Sequence, residues 1–193
     1  MAISYPINTP TSIGIAQVEL SATNAVAVSR SPFTFATQVH AYSGEMWSAT
    51  VTIPTVLKDL AEPWVGFLLS LRGQYGTFLL GDPNNTTPRG TATSATISGV
   101  AGSHSVTVSA NGTLLAGDYI QLGSGTTSRL HKVVQDSGGT GTLEIWPALR
   151  ADYTGAAILE NAKGVFRLTT NQTNWSIGNS SAYGIQFEAM ESI

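Results

Sequence analysis

The clearest local signal in the sequence lies in residues 33–54, FTFATQVHAYSGEMWSATVTIP. Residues 33–42 and residues 45–54 each alternate between apolar and polar side chains, which is the pattern of a half-buried β-strand. Ser43-Gly44 separates the two runs, and a short glycine-containing break between alternating runs predicts a β-hairpin. We expect one face of this hairpin to be buried, and its members are Phe33, Phe35, Val39, Trp47, Ala49, Val51 and Ile53.

After this hairpin the period of the apolar residues changes from two to 3.6, which predicts an amphipathic helix. The apolar stripe of that helix consists of Leu60, Trp64, Phe67, Leu68 and Leu71. Asp59 followed by Glu62 predicts a capping box at the start of the helix, and Gly73 suits the left-handed position that follows its end. Residues 74–80 are expected to return to a strand.

A polar segment, residues 84–90, precedes a change of composition toward Ser, Thr, Gly and Val. Beyond it, short alternating runs separated by glycine turns predict a small β-barrel or sandwich. The five strands expected there are residues 92–97, 105–109, 118–122, 129–135 and 142–146. Residues 147–153 are interpreted as a linker.

The predicted fold class is mainly β with one helix. It combines a β-sandwich domain, which holds the hairpin and the helix, with a small inserted β-barrel-like domain. The larger aromatic residues of the last segment resemble those of the first in composition, so we expect the chain to return to the first domain. The predicted divisions are residues 1–88 for the first part of the sandwich domain, 89–150 for the barrel and 151–193 for the return strands.

Composition restricts the classes of function. Only 11% of the 193 residues are charged, against about 25% in an average soluble protein, and the formal net charge is −3. Such a chain has no basic surface to hold nucleic acid through counterion release. The absence of cysteine excludes disulfides, thiol catalysis and Cys-ligated metal sites. The apolar run 64–71 is far shorter than the ~20 residues of a membrane-spanning helix, and we expect a soluble protein made in a cytoplasm.

No arrangement of reactive side chains predicts catalysis. His40, His104 and His131 have no metal-ligand spacing, and we expect each to be an exposed or partly buried strand residue. Alanine at His40 or His131 is therefore expected to leave stability nearly unchanged. The twelve acidic residues are scattered and suit turns and caps, as Asp118 does after Gly117. Residues 137–141 are rich in glycine but lack the helix of a phosphate-binding loop. The prediction is therefore a protein that is not an enzyme, with no catalytic residues, no cofactor and no metal.

Several phrases of the sequence together resemble a known family. Residues 42–54, the predicted helix and residues 71–83, which end in Gly-Asp-Pro, resemble the distal tail proteins and related minor tail proteins of long-tailed bacteriophages of Gram-negative bacteria. The middle of the chain is similar to the barrel part of such proteins, and its end to their last strand. The phrases there are residues 115–122, 145–150 and 185–192. The resemblance covers most of residues 30–193 and includes nothing before Ser31.

The resemblance implies a structural virion protein that assembles as a ring, a homo-hexamer, at the tail tip of the phage. The ring would join the tail tube protein to the hub of the baseplate, with the sandwich domain in the ring and the barrel outside it. DNA could pass through the ring without sequence-specific contacts, and no membrane would be involved. Synthesis would take place in the cytoplasm of the host bacterium. The family has no shared catalytic residues.

Two other classes of function stay open at this point. A receptor- or saccharide-binding module of the tail tip would use Trp47, Trp146 or Trp175 as a platform for a sugar ring. An enzyme that acts on cell-wall polymer is the third class, although the sequence offers no constellation of residues for it. The low charge favours the assembly protein, because surfaces buried in assemblies are depleted of Lys, Glu and Asp.

Overall fold

A computed structural model of the chain describes residues 3–179 and 181–193. Met1, Ala2 and Ser180, which belong to the predicted first and last segments, lie outside the described residues. The described residues are mainly β, with one α-helix, an extended sheet and a separate closed barrel, and this confirms the predicted fold class. No helix among the described residues is both long and apolar enough to cross a membrane.

The described residues form thirteen strands and one α-helix. In chain order they are β1 (Ile7–Asn8), β2 (Gln17–Arg30), β3 (Thr37–Leu57), α1 (Lys58–Ser70), β4 (Phe78–Leu80), β5 (Ala95–Gly99), β6 (Ser105–Ala110), β7 (Tyr119–Leu122), β8 (Arg129–Val133), β9 (Thr140–Trp146), β10 (Tyr153–Ile158), β11 (Gly164–Leu168), β12 (Trp175–Ile177) and β13 (Ala182–Glu191).

The extended sheet has the strand order β1-β4-β11-β13-β3-β2, and β12 adds to β13. The short β1–β4 pair is parallel and the other neighbours are antiparallel. The strands β11 and β13, from the last part of the chain, pair with β4 and β3 from the first part. The sheet is therefore assembled from both ends of the chain, and the barrel is inserted between β4 and β11.

The barrel closes in the order β10-β5-β6-β9-β8-β7, and five of its strands coincide with those expected from the sequence. The predicted boundary at residue 150 is wrong, because β10 lies beyond it and pairs with both β5 and β7 to close the ring of strands. The expected linker 147–153 is also wrong in part. Leu149 is buried, and its backbone exchanges hydrogen bonds with Gly102 and Ser103.

Helix α1 covers one face of the sheet, against β3 and β13. Its buried residues include Trp64, Phe67 and Leu68, and Leu71 directly after it is also buried, as the apolar stripe predicts. Leu60 does not belong to the stripe, since 44% of its surface is exposed. The predicted capping box is wrong, because the helix begins two residues earlier, with Leu57 instead of Asp59 at the N-cap and no side-chain cap.

The hairpin exists, but its turn is not at Ser43-Gly44. Strand β3 runs without a break from Thr37 to Leu57 and pairs with β2, so the turn is the segment 31–36. Ser31-Pro32 begins that turn, and a Ser-Pro dipeptide favours turn initiation. The hairpin is therefore much longer than expected, and its first strand is β2, residues 17–30.

The Ser43-Gly44 break marks an irregularity of pairing within this hairpin. Asn24 pairs with Glu45 and Val26 pairs with Ala41, so that three residues of β3 oppose Ala25 alone. Gly44 lies directly against Ala25, where a Cβ atom at position 44 would be 3.0 Å from the Ala25 Cβ atom. The two small residues let the strands pass closely at this bulge, and a bulge bends and twists the ribbon.

The bulge divides the hairpin into a buried and an exposed half. On the C-terminal side of the bulge β3 lies between β2 and β13, and Trp47, Ala49, Val51 and Ile53 are buried there. On the other side β3 has β2 as its one neighbour among the described residues. The expectation that Phe33, Phe35 and Val39 are buried is therefore wrong, because no second layer from the described part of the chain covers that half.

Trp64 provides a test of the helix–sheet core. Its side chain is fully buried and packs edge-on against Phe67, so Trp64→Ala leaves a cavity and is expected to lower the free energy of unfolding by about 3–5 kcal/mol. Chemical denaturation measures this change. Leu60→Ala on the same helix is the control and should cost far less. Equal losses from the two variants would contradict the assigned helix face.

Candidate assembly surface

The most exposed large element of the structure is the part of the β2–β3 hairpin beyond the bulge. We call residues 25–44 the arm. Every residue of the arm is exposed except Ser31, which is half-buried, and Phe33 at the tip is 92% exposed. Two strands alone cannot bury a hydrophobic face, so the arm has no core of its own.

The two faces of the arm differ in chemistry. Residues that are directly opposite in the pairing share a face, which places Val26 with Ala41 and Val28 with Val39 on one side. We call these four residues the valine face. The opposite face carries the pairs Ala27–His40 and Ser29–Gln38, together with Tyr42, whose ring meets that of His40 edge-on with centroids 4.6 Å apart.

The tip of the arm is ordered by its own contacts. The Ser31 hydroxyl accepts hydrogen bonds from the backbone N–H groups of Phe33 and Thr34, at 3.3 and 3.4 Å. The Arg30 guanidinium lies 4.7 Å from the centroid of the Phe35 ring, a cation–π contact. Phe35 itself has a φ of 57°, which is rare for a bulky residue. The turn therefore holds the backbone at Phe33 and presents the Phe35 ring against Arg30.

The arm also has an open backbone edge and almost no charge. The outer edge of β2 pairs with no other strand of the described residues, so a row of N–H and C=O groups faces outward. Arg30 is the one Lys, Arg, Asp or Glu in residues 25–44. Natural edge strands are normally protected by charges or proline, and residues 25–29 of this edge carry neither. Apolar side chains and an unprotected edge together are the features of an interaction surface.

The histidines are not brought together. His40 is exposed on the arm, whereas the His104 Nε2 atom donates to the Glu45 Oε1 atom at 2.7 Å. His131 is only 1% exposed, so the expectation of an exposed or partly buried residue is wrong. Its Nδ1–H donates to the carbonyl oxygen of Pro147 at 2.7 Å. Among residues 3–179 and 181–193, no three His, Asp or Glu residues are grouped as metal ligands.

Burial also controls the protonation of His131. Removal from water disfavours the imidazolium ion, and Arg150 and Arg129 add to that effect, so the pKa falls to about 4 from 6.5. The hydrogen bond to Pro147 and the Glu45 carboxylate oppose the shift but are outweighed. The imidazole is thus neutral at pH 7 and serves the packing of β8.

The three tryptophans proposed as a sugar platform have different surroundings. Trp47 is buried, and its indole N–H donates to the carbonyl oxygen of Leu130 at 2.9 Å. Trp146 meets Trp47 edge-on at 4.5 Å and donates to the Asn24 side chain. Trp175 is half-buried and lines a groove of about 460 Å³ beside β13. Of the three, Trp175 is the one with a groove against its ring.

The acidic residues singled out in the sequence have structural contacts. The fully buried Asp118 carboxylate accepts from the backbone N–H groups of Arg89, Gly90 and Leu115. Of residues 137–141, the first three lie in the connection between β8 and β9 and the last two belong to β9, and Ser137 forms a bridge with Leu114. Glu191 is an acidic residue that sequence reasoning missed. It is buried and forms an ion pair with Arg150 at 2.8 Å.

The exposed surface of the arm was also missed, although the sequence carries a signal for it. The alternation of residues 33–42 predicts a strand with an apolar face, and this is correct for the valine face. Alternation does not show whether a second layer covers that face. The near absence of charge over residues 25–44 is the feature that could have indicated a surface buried against another molecule.

A pH titration of stability tests the burial of His131. Its pKa is about 4 in the folded state and 6.5 when exposed, so below pH 6.5 the unfolded state takes up a proton that the folded state refuses. The stabilisation is complete above pH 6.5 and is lost as the pH falls toward 4. Relative to His131→Gln, the wild type should lose about 3 kcal/mol of unfolding free energy across this range.

Urea denaturation at pH 7.5, 6, 5 and 4 measures this difference. His40→Gln is the control, because His40 is exposed, and it should follow the wild type throughout. Parallel pH profiles for the wild type and His131→Gln would show that His131 is not buried as a neutral residue.

Two comparisons with known proteins accompany this geometry. No protein-family model matches the chain, and no curated protein matches it. The arm, the surface chemistry around it and the motifs of the sequence are therefore the features that bear on function.

Proposed function

We propose that the chain is a structural subunit of a bacteriophage tail tip, which binds copies of itself to form a ring that joins the tail tube to the baseplate hub. The observation that carries the self-assembly is the arm, an exposed, nearly uncharged ribbon with an apolar face and an open edge. The location at a tail tip, the six-fold order and the neighbouring proteins rest on the resemblance of residues 42–54 and 71–83 to distal tail proteins.

The apolar surface of the arm is large enough to matter for association. Burial of one Val or Phe side chain contributes about 1.5–3 kcal/mol, whereas association costs about 4–15 kcal/mol in lost freedom. Several side chains must therefore be buried together, and the arm offers six large exposed ones. They are Val26, Val28, Phe33, Phe35, Val39 and Tyr42.

The shape of the arm favours a ring over a simple dimer. An arm that reaches away from its own sheet would be received by a different surface of the next copy. Such a head-to-tail contact repeats around an axis and closes when the rotation allows it. Closure would also cover the open edge of β2, which otherwise invites uncontrolled pairing between chains. The low charge of the whole chain agrees with a subunit that hides much of its surface.

Val28→Asp tests self-assembly. The substitution places a charge in the centre of the valine face, and burial of an unpaired charge is costly, so association should weaken at least about tenfold. Light scattering after size-exclusion chromatography measures the mass of the assembly, and negative-stain images show whether it is a ring. Val134→Asp is the matched control on the barrel, because Val134 is 54% exposed and lies outside the arm.

Two results would contradict the proposal. A wild-type chain that stays monomeric at high concentration and is absent from purified phage tails would remove its basis. Rings that form equally well with Val28→Asp would show that the valine face is not the contact. Circular dichroism of each variant confirms that the fold is intact, and the exposure of Val28 makes this the expected result.

The saccharide-binding alternative keeps one specific observation in its favour, the groove at Trp175. Threonine, serine and amide side chains surround the indole there, namely Thr52, Thr55, Asn174, Ser176 and Gln186. Hydroxyl and amide groups beside an aromatic ring suit a sugar, which offers hydroxyl groups and an apolar ring face. The groove therefore supports a glycan as a second candidate ligand.

Glycan-array binding with Trp175→Ala tests this alternative. If the groove holds a sugar, the substitution should abolish the array signal, because it removes the platform. Tyr75→Ala is the control, since Tyr75 is an exposed aromatic residue that does not line the groove. An array without signal for the wild type, or a signal that Trp175→Ala leaves unchanged, would rule out the groove as the sugar site.

A further inference from the structure

We propose that the barrel acts as a brace that fixes the direction in which the arm leaves the sheet, and that Asn24 and Glu45 are the positioning residues through which it acts. These two residues form the last pair before the bulge, one on each strand of the hairpin. The barrel binds both of them. That the fixed direction serves ring closure rests on the proposed function, whereas the brace itself does not.

On β2, the contact is made by Trp146 at the end of β9. Its indole Nε1–H donates to the Asn24 Oδ1 atom at 2.7 Å. The Trp146 ring is held edge-on against Trp47, which is buried between the sheet and the barrel. The donor that reaches Asn24 is therefore fixed by a packed aromatic pair rather than carried on a loose side chain.

On β3, three groups of the barrel side converge on Glu45. The backbone N–H of Ala148 donates to Oε2 at 2.7 Å, and His104 Nε2 donates to Oε1 at 2.7 Å. Arg150 donates to the Glu45 carbonyl oxygen at 2.6 Å. The Glu45 side chain is only 11% exposed, and hydrogen bonds to an ionised group are strong where water is partly excluded.

Arg150 extends this contact to the far end of the chain. The same Nη2 atom that reaches Glu45 pairs with the Glu191 Oε2 atom at 2.8 Å, and the backbone N–H of Trp47 donates to that oxygen at 3.3 Å. The last pair before the bulge is thus tied both to the barrel and to Glu191, the last residue of β13. Ala148 and Arg150, which lie in the predicted linker 147–153, supply two of the groups that hold it.

The position of these contacts gives them mechanical significance. A two-stranded ribbon twists easily, and the bulge at Ala25 is the place where this one would bend. A brace further back in the sheet would not affect the bend, and a contact on the arm itself would block its surface. Contacts on the pair directly before the bulge restrain the angle between the arm and the sheet. They leave the surface of residues 26–41 accessible to another molecule.

The chain has no cysteine, so two introduced cysteines can be labelled without background. Gln38→Cys on the polar face of the arm and Val134→Cys on the barrel are both exposed. Spin labels at these sites report the distance between arm and barrel. The labelled chain is diluted with unlabelled chain, so that an assembly holds at most one labelled copy.

In the otherwise unchanged chain we expect one narrow distribution of the distance between the two spin labels. In Glu45→Ala and in Asn24→Ala we expect this distribution to become broad. Asn24→Ala keeps the test valid if Glu45→Ala does not fold, because Asn24 is exposed. Glu19→Ala is the matched control, an exposed acidic residue on β2 outside the brace, and it should keep the narrow distribution. A narrow distribution in both brace variants would overturn the proposal.

Ring formation, scored separately by negative stain, distinguishes this proposal from the proposed function. A narrow distribution in a chain that never forms rings would retain the brace and refute the ring. If the unchanged chain forms rings but shows a broad distribution of the distance between arm and barrel, the ring is retained and the brace is refuted. Loss of rings in Asn24→Ala with an intact valine face would show that the direction of the arm is needed for closure.

Discussion

The buried indole of Trp47 is the contact on which the two halves of the structure depend. It belongs to β3 of the sheet, yet its N–H donates to the carbonyl oxygen of Leu130 in the barrel, and its ring meets that of Trp146. Tyr119 and Leu130 of the barrel pack within the same apolar cluster as the sheet residues. Because one core is shared, the barrel is not a free appendage. Its orientation relative to the sheet, and with it the brace at Asn24 and Glu45, follows from this packing.

Much of the fold could be predicted because its local patterns agree with its tertiary structure. The stripe through Trp64, Phe67 and Leu68 is helical in period, and the helix buries that stripe against the sheet. The barrel strands are short and bounded by glycine turns, so that each could be found without knowledge of its partners. In these elements the local sequence preference and the tertiary packing favour the same secondary structure, as expected of a sequence selected to fold.

The other features of the fold depend on which strands and segments become neighbours, and the sequence of a single strand does not contain that information. Alternation showed that residues 33–42 and 45–54 are extended, but not that they are one strand with a bulge between them. It could not show that β13 covers β3 only from Ser48 onward, which leaves the arm exposed. His131 lies in a strand with two cationic neighbours in sequence and looked exposed. Its burial results from the segment after β9, which folds back over it through Pro147.

The insertion of the barrel between β4 and β11 determines the order in which the protein can fold during synthesis. Strands β5 to β10 lie together in the sequence, so the barrel can close as soon as Ile158 has left the ribosome. The sheet must wait longer, since Ala49 of β3 pairs with Ala189 of β13. In that interval the nascent chain exposes the inner edge of β3 next to a finished barrel. An open apolar edge is a site of misassociation between neighbouring chains, so the pairing of β13 with β3 is the step that protects the folding molecule from it.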